Sequence, residues 1–166
     1  MTNKGGLRTK GIFKKSLPGK PLISVITVVL NGEKYLEETI LSVLNQTYDN
    51  IEYIIVDGGS TDSTLDIIKK YEEKIDYWQS EPDSGIFEAM NKGIKLAKGE
   101  WIHLLNSDDC YFDNNVLEKV VNVLDNSGKY FYYFTLIHDC GNFQKEFKNP
   151  FNLWTKIKLY YASCIP

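Results

Sequence analysis

The sequence predicts an α/β domain with a mostly parallel central sheet and helices on both faces. Three observations carry that prediction. Strand and helix patterns alternate along most of the chain, which marks crossover units. The strand runs are β-branched and apolar on both alternations, as strands covered on two faces must be. Three of the four clear strands also end in a polar cluster, where open α/β sheets bind their ligands. At 166 residues there is room for one such domain.

Residues 1–20 hold six Lys/Arg (Lys4, Arg8, Lys10, Lys14, Lys15, Lys20) and no acid, so they read as a basic flexible leader. Pro18-Gly19-Lys20-Pro21 closes it. Leu22–Leu30 is the first strand, turned by Asn31-Gly32. Leu36, Ile40, Val43 and Leu44 recur at helical spacing up to about Gln46, and Thr47–Asn50 is a loop. Tyr53–Val56 is a second buried strand ending at Asp57 and broken by Gly58-Gly59. Ser60 or Asp62 caps the helix that carries Leu65 and Ile68.

Asp76–Ser80 reads as a short third strand and Pro82-Asp83-Ser84-Gly85 as a loop. Ile86, Met90, Ile94 and Ala97 mark a third helix, with Gly99 just past its end. Trp101–Leu105 is a fourth strand running into Asn106-Ser107-Asp108-Asp109. Val116, Leu117, Val120, Val121 and Leu124 make a fourth helix, and Tyr130–Ile137 a last, very aromatic strand.

Composition narrows the function. The longest apolar run, Val25–Leu30 broken by Thr27, is far short of a membrane span. No apolar stretch in residues 1–20 suggests a secretory signal. Cys110, Cys140 and Cys164 share no metal-like spacing and read as reduced cytosolic thiols. Residues 21–150 contain all 22 acids against 11 Lys/Arg, a net −11, which argues against a nucleic-acid groove. The basic leader reads first as solvated chain and second as a peripheral contact with anionic lipid. Neither G-x-x-x-x-G-K-[ST] nor a G-x-G-x-x-G after the first strand occurs.

Asp108-Asp109 is the most informative cluster. Adjacent carboxylates repel, and a shared cation relieves the repulsion. A hard cation, Mg²⁺ or Mn²⁺, suits carboxylates that leave other positions to water and diphosphate. A solvated loop, or a pair capping the Val116 helix, explains the composition equally. His103, inside the fourth strand, reads as a core histidine. His138-Asp139-Cys140 lacks a second cluster for zinc. Tyr130–Phe134 reads as buried sheet ahead of a sugar-stacking platform.

The runs SVITVVLNGEKYLEETILSVLNQTYDNIEYIIVDGGSTDSTLDII and EPDSGIFEAMNKGIKLAKGEWIHLLNSDD, in order and spacing, resemble the family 2 glycosyltransferases of the GT-A fold. The likeness is strongest to the branch that builds bacterial capsule and O-antigen polysaccharides. It implies a donor-binding half over 21–125 and the start of an incomplete acceptor-binding half over 126–166. It implies that Val28, Val29, Leu30 and Asn31 wrap the nucleotide base with Glu33 close by. Asp57 matches an aspartate that hydrogen-bonds uracil, and Asp83 a residue lining base and ribose. Asn106, Ser107, Asp108 and Asp109 fall on the DXD region, with Asn106 in place of the usual first aspartate. Asn106 still suits a ribose hydroxyl, and Asp108 or Asp109 holds the metal. Asn91 and Lys92 match an Asn-x-Gly of the helix near the nucleotide, with a phosphate contact from Lys92 as a second role.

The activity this implies is inverting transfer of a sugar, UDP-linked, to a saccharide or lipid-linked acceptor in cell-surface polysaccharide synthesis. Mg²⁺ or Mn²⁺ would assist, in the cytoplasm or peripherally at the inner membrane face. The catalytic base of such enzymes is expected beyond Pro166, and no residue is assigned to it. The rival reading is a truncated, non-catalytic nucleotide-binding module. A nucleotidyltransferase lacks support, because its glycine-rich, lysine-containing start is absent.

Overall fold

The computed structural model describes residues 3–122, 124, 135–139, 144–147 and 160–163. Its first elements are β1 (Asn3–Gly5), a 3-10 turn at Leu7–Lys10, β2 (Ile23–Val29), α1 (Leu36–Leu44), β3 (Ile51–Asp57) and α2 (Thr64–Lys70). Then come β4 (Tyr77–Ser80), α3 (Ile86–Leu96), β5 (Trp101–Leu104), β6 (Asp109–Tyr111) and α4 (Val116–Val121). The last are β7 (Thr135–Asp139), β8 (Gln144–Phe147) and β9 (Tyr160–Ser163).

All seven residues of β2 and all seven of β3 are buried, so both faces of the central strands are covered. Alternation divides them between two cores. Val25 and Val29 of β2, with Tyr53 and Ile55 of β3, pack against Leu36, Ile40 and Val43 of α1, Ile68 of α2, and Val116, Leu117 and Val120 of α4. Ile26 and Val28, with Ile54 and Val56, face Ala89 and Met90 of α3 on the other side. Gly93 lets α3 settle there, because a Cβ at that position would lie 2.4 Å from Ile26 Cγ2.

The sheet order is β1-β4-β3-β2-β5, with β4, β3, β2 and β5 mutually parallel. Parallel neighbours joined by helices place every strand-to-helix turn on one edge. That edge receives Asn31, Asp57 and the Asn106–Asp109 turn.

The leader differs from expectation. β1 pairs antiparallel with β4, Asn3 opposite Ser80 and Gly5 opposite Trp78. Four of its six cations meet carboxylates of the acidic body. Arg8 pairs with Glu52 at 2.7 Å, both side chains buried, and Lys14 with Asp76 at 2.9 Å. Lys10 pairs with Glu73 and Lys20 with Asp49 at the surface. Arg8 also donates to Leu96 O at 2.8 Å, while Glu52 accepts from Ser24 Oγ and Lys98 N. Part of the charge asymmetry in the sequence is therefore met by ion pairs within the molecule.

Element ends shift slightly. The first helix stops at Leu44 rather than Gln46, because the Gln46 side chain turns to Ser42 O and Asp113 O. Asp109 starts β6 instead of ending a loop, pairing opposite Ser163 of β9. β6, β9, β7 and β8 form a second sheet. Of the expected last strand, Thr135–Ile137 falls in β7 and Tyr130–Phe134 lies outside the described residues, as do Cys140 and Cys164. The proposed acceptor segment 126–166 is described only in β7, β8 and β9.

Candidate functional site

The turn after β2 is held by the turn after β3. Asn31 adopts φ 53°, in the left-handed region that asparagine tolerates better than most residues. Its amide donates to Ser60 Oγ at 2.7 Å, and its side-chain oxygen accepts from Thr61 N at 2.9 Å. Gly32 N donates to Thr64 Oγ1 at 2.8 Å, and Glu33 N to Asp62 Oδ2 at 3.1 Å. Glu33 returns a bond by accepting from Ser63 N at 3.1 Å. Asp62 also accepts from Thr64 N at 3.0 Å, so of the two capping candidates Asp62 serves the start of α2.

Ser60 is engaged elsewhere, by Asp57. The Asp57 carboxylate is fully buried and accepts from Gly59 N, Ser60 N, Ser60 Oγ and Ser80 Oγ. Gly59, at φ 87°, gives the turn its tightness. Gly58 allows Asp83 to approach, since a Cβ there would lie 2.9 Å from Asp83 Oδ2. Asp83 Oδ1 accepts from Gly85 N at 2.9 Å and so shapes the entry to α3. Behind it, Glu88 reaches back to Ser84 N at 2.8 Å and pairs with Lys92 at 3.0 Å. Bonds from Ser84 and then Lys92 hold the Glu88 carboxyl down at about 2. Lys92 also meets Glu81 at 3.0 Å, so its ammonium is engaged by two carboxylates.

On the other flank, Asn106 and Asp109 close a turn. Asp109 N donates to Asn106 O at 3.1 Å, and Asn106 Nδ2 to Asp109 Oδ2 at 3.0 Å. Thr39 Oγ1 of α1 secures the turn through Ser107 O at 2.9 Å. Burial, together with the neighbouring Asp108 charge, pushes the Asp109 carboxyl up, against the Asn106 bond. Neither aspartate caps α4: the first-turn donor Leu117 N reaches Gln46 Oε1 at 3.0 Å. His103 faces Tyr111, with Nδ1 2.7 Å from the hydroxyl, which agrees with a structural histidine.

Between these turns lies a cleft of about 520 Å³. Eight residues singled out in the sequence line it: Val28, Val29, Leu30, Asn31, Asp83, Asn106, Ser107 and Asp108. Glu33, Asp57 and Asp109 are not among its walls; they shape the turns behind it. The cleft also uses Gly32, Tyr35, Gly85, Ile86 and Ala89, none of them singled out for the site. For Ile86 and Ala89 the signal was available, since positions i and i+3 in the first turn after Pro82–Gly85 face the same sheet edge. The lining thus combines apolar side chains (Leu30, Tyr35, Ile86, Ala89) with carboxylates and amides.

Among the described residues no group of three or more His, Cys, Asp or Glu could hold a cation alone. Asp108 in the cleft fits a hard cation that draws its remaining ligands from water and a bound diphosphate.

The chain is similar to known glycosyltransferases in sequence and in fold. A family model described as glycosyl transferase family 2 matches residues 24–163. An uncharacterised glycosyltransferase of Rickettsia typhi is 39% identical over 141 residues, covering 84% of this chain and 44% of that protein. The chain thus spans less than half the length of this relative. Residues 1–349 of Staphylococcus aureus TarS, solved in complex with UDP-GlcNAc, are 28% identical with a TM-score of 0.57. That match covers 70% of this chain and 34% of the other. The Pyrobaculum calidifontis mannosyltransferase PcManGT, solved with GDP-Man and Mn²⁺, shares the fold at TM-score 0.60 and 22% identity. It covers 69% of this chain and 35% of that one.

Proposed function

The chain belongs to glycosyl transferase family 2 and has the GT-A fold, and on that premise we propose that it binds a UDP-sugar and transfers the sugar with inversion to a saccharide or lipid-linked acceptor. The observation that carries this is the convergence of Val28–Asn31, Asp83 and Asn106–Asp108 on one cleft at the carboxyl edge of the sheet. A base suits the apolar side chains of the lining, and a diphosphate belongs near Asp108. TarS, the 28% identical neighbour, was solved with UDP-GlcNAc, which supports a UDP donor. The polymer built would belong to the cell surface.

Asp108 is the residue to hold Mg²⁺ or Mn²⁺, which when bound offsets diphosphate charge and stabilises it as leaving group. Asn106 and Ser107 offer polar atoms to ribose. Asp57 shapes the Gly58–Ser60 turn, and Glu33 braces the β2 turn against α2. In the single displacement of an inverting transferase, the acceptor hydroxyl attacks the anomeric carbon opposite the departing diphosphate as a base removes its proton. Asp83 and Asp108 are the only carboxylates lining the cleft among the described residues. Asp83 is tied to Gly85 N and Asp108 suits the cation, so the base is sought outside them.

That same observation favours a second reading, nucleotide binding without transfer. Calorimetry with UDP and Mn²⁺ tests the site, and turnover of UDP- and GDP-sugars separates the two readings. Binding without transfer or donor hydrolysis selects the second; no nucleotide binding overturns both.

No helix among the described residues is long and apolar enough to cross a membrane. A peripheral contact would use Ile12, Phe13 and Leu17, each about half exposed beside Lys15. Bonds from Lys14 to Ile51 O, from Asn50 to Lys15 O and from Leu22 N to Ser16 hold that segment at the opposite end of the strands from the cleft. Flotation with anionic and zwitterionic vesicles tests this, and equal recovery with both removes the electrostatic part.

A further inference from the structure

We propose that the leader is a positioning element of the nucleotide cleft: β1, by pairing with β4, holds Ser80 against Asp57 and so keeps the cleft-forming turns in their binding arrangement. This rests on the nucleotide-sugar reading and gives a role in it to residues that lie ahead of the 24–163 matched by the family model.

β4 has only four residues, and without β1 it would be the edge of its sheet among the described strands. A short edge strand opens readily, because one side of its backbone has only water to bond. β1 covers that side, with Asn3 opposite Ser80, Lys4 opposite Gln79 and Gly5 opposite Trp78. The chain beyond β1 then grips the residues that lead into β4. Leu7 N donates to Ile75 O at 3.0 Å, and Arg8 N to Asp76 O at 2.9 Å.

Ser80, the last residue of β4, is where the leader meets the cleft. Its Oγ donates to Asp57 Oδ2 at 2.6 Å. Among the described residues it is the one donor to that carboxylate from outside the Gly58–Ser60 turn. Glu81 N repeats the link by donating to Asp57 O at 3.1 Å. From Asp57 the path to the cleft is short. Ser60 Oγ bonds Asp57 and accepts from Asn31 N at 2.7 Å, and Asn31 lines the cleft. Two residues past Glu81, the same strand end delivers Asp83 to the lining. The element with two states is therefore the β1 strand, paired or released. A nucleotide that binds the paired state better must hold β1 in place by the same factor that β1 tightens the nucleotide. Ser80 acts through Asp57 and is a positioning residue.

Gly5 shows how close the pairing is. A Cβ there would lie 2.5 Å from Nε1 of the buried Trp78 and would also meet Glu72 Oε1. Gly5→Ala therefore dislodges β1 without touching the cleft.

The test joins hydrogen exchange by mass spectrometry, which reads the leader, to calorimetry with UDP and Mn²⁺, and in parallel GDP, which reads the site. In the wild type, saturating nucleotide slows exchange in the peptide carrying residues 3–8, none of which lines the cleft. Gly5→Ala speeds that exchange and weakens the preferred nucleotide by about fivefold or more. Ser80→Ala weakens it comparably, and adding Gly5→Ala to Ser80→Ala costs little further, because the link is already cut. Lys10→Ala, which removes only a surface pair with Glu73, leaves the affinity near its wild-type value. Circular dichroism melts identify variants that fold; if Gly5→Ala does not, wild-type exchange with and without nucleotide decides alone. Exchange in residues 3–8 that ignores bound nucleotide overturns the inference. So does a released β1 with unchanged affinity, or full additivity of Gly5→Ala and Ser80→Ala. In each of these cases nucleotide still binds, so the donor reading survives. Absence of UDP and GDP binding at every Mn²⁺ concentration overturns the inference and the donor reading together.

Discussion

Arg8 and Glu52 meet at 2.7 Å beneath the sheet, 7% and 2% exposed, and join the first residues of the chain to the second residue of β3. A buried charge stripped of its partner is expensive, whereas replacing both partners with apolar groups is often tolerated. Arg8→Ala should destabilise the protein by about 3–5 kcal/mol, a fall of roughly 10 °C or more in melting temperature for a domain of this size. Arg8→Met with Glu52→Gln, which keeps an acceptor for Ser24 Oγ and Lys98 N, should recover part of it. Urea unfolding of the two single variants and the double variant gives the comparison. Full additivity of the singles would show that the pair does not act as a unit.

Gly58 and Asp83 give a prediction for the cleft. A methyl group at 58 would lie 2.9 Å from Asp83 Oδ2 and 3.2 Å from its Cγ, so that carboxylate must move. Gly58→Ala should weaken nucleotide binding while the melting temperature changes by only a few degrees. Gly59→Ala differs, because φ 87° strains any other residue by about 1–2 kcal/mol and loosens the whole turn. Calorimetry and thermal melts on both variants separate displacement of one side chain from loss of the turn.

The parts of this molecule that were legible in the sequence are those whose signal is local. Ile23–Val29 and Ile51–Asp57 show their two-sided burial directly, and Asn31, Asp83 and Asp108 could be placed because each follows a strand or opens a helix. The leader was misread because its partners are distant. Nothing within residues 1–20 reveals that Arg8 is bound for a carboxylate 44 positions on. The clue lay in the partner: Glu52, an acid in a strand buried on both faces, demands a cation. Asp109 was misread for a related reason, since its place in β6 depends on pairing with Tyr160–Ser163, far along the chain.

Asp57 affects the site through the turn it holds together, so two observables should move together. Asp57→Ala orphans donors from Gly59, Ser60 and Ser80, and should cost about 2–4 kcal/mol of stability and weaken nucleotide binding. Asp108→Asn should weaken cation-dependent nucleotide binding with the melting temperature nearly unchanged. If Asp57→Ala abolished binding at an unchanged melting temperature, the Asp57 carboxylate would have to reach the nucleotide itself.

His103 supplies the pH dependence. Burial pushes its imidazole from 6.5 down to about 4, and its Nδ1 lies 2.7 Å from the Tyr111 hydroxyl. A protonated ring carries a hydrogen on both nitrogens, so Nδ1 can then only donate to that hydroxyl. The folded state therefore binds fewer protons than the unfolded chain between these values. Its contribution is complete above pH 6.5 and is lost as pH falls towards 4, with about 1–2 kcal/mol disappearing between pH 7 and pH 5. Asp76 works in the opposite sense: burial raises its carboxyl despite Lys14, so folding gains as pH falls into the range where Asp76 protonates. The two are separated by difference. Urea unfolding of wild type and His103→Phe at pH 7 and pH 5 leaves Asp76 common to both, and the wild type should lose the extra stability. Equal losses would mean that His103 takes up its proton in the fold as readily as in the unfolded chain.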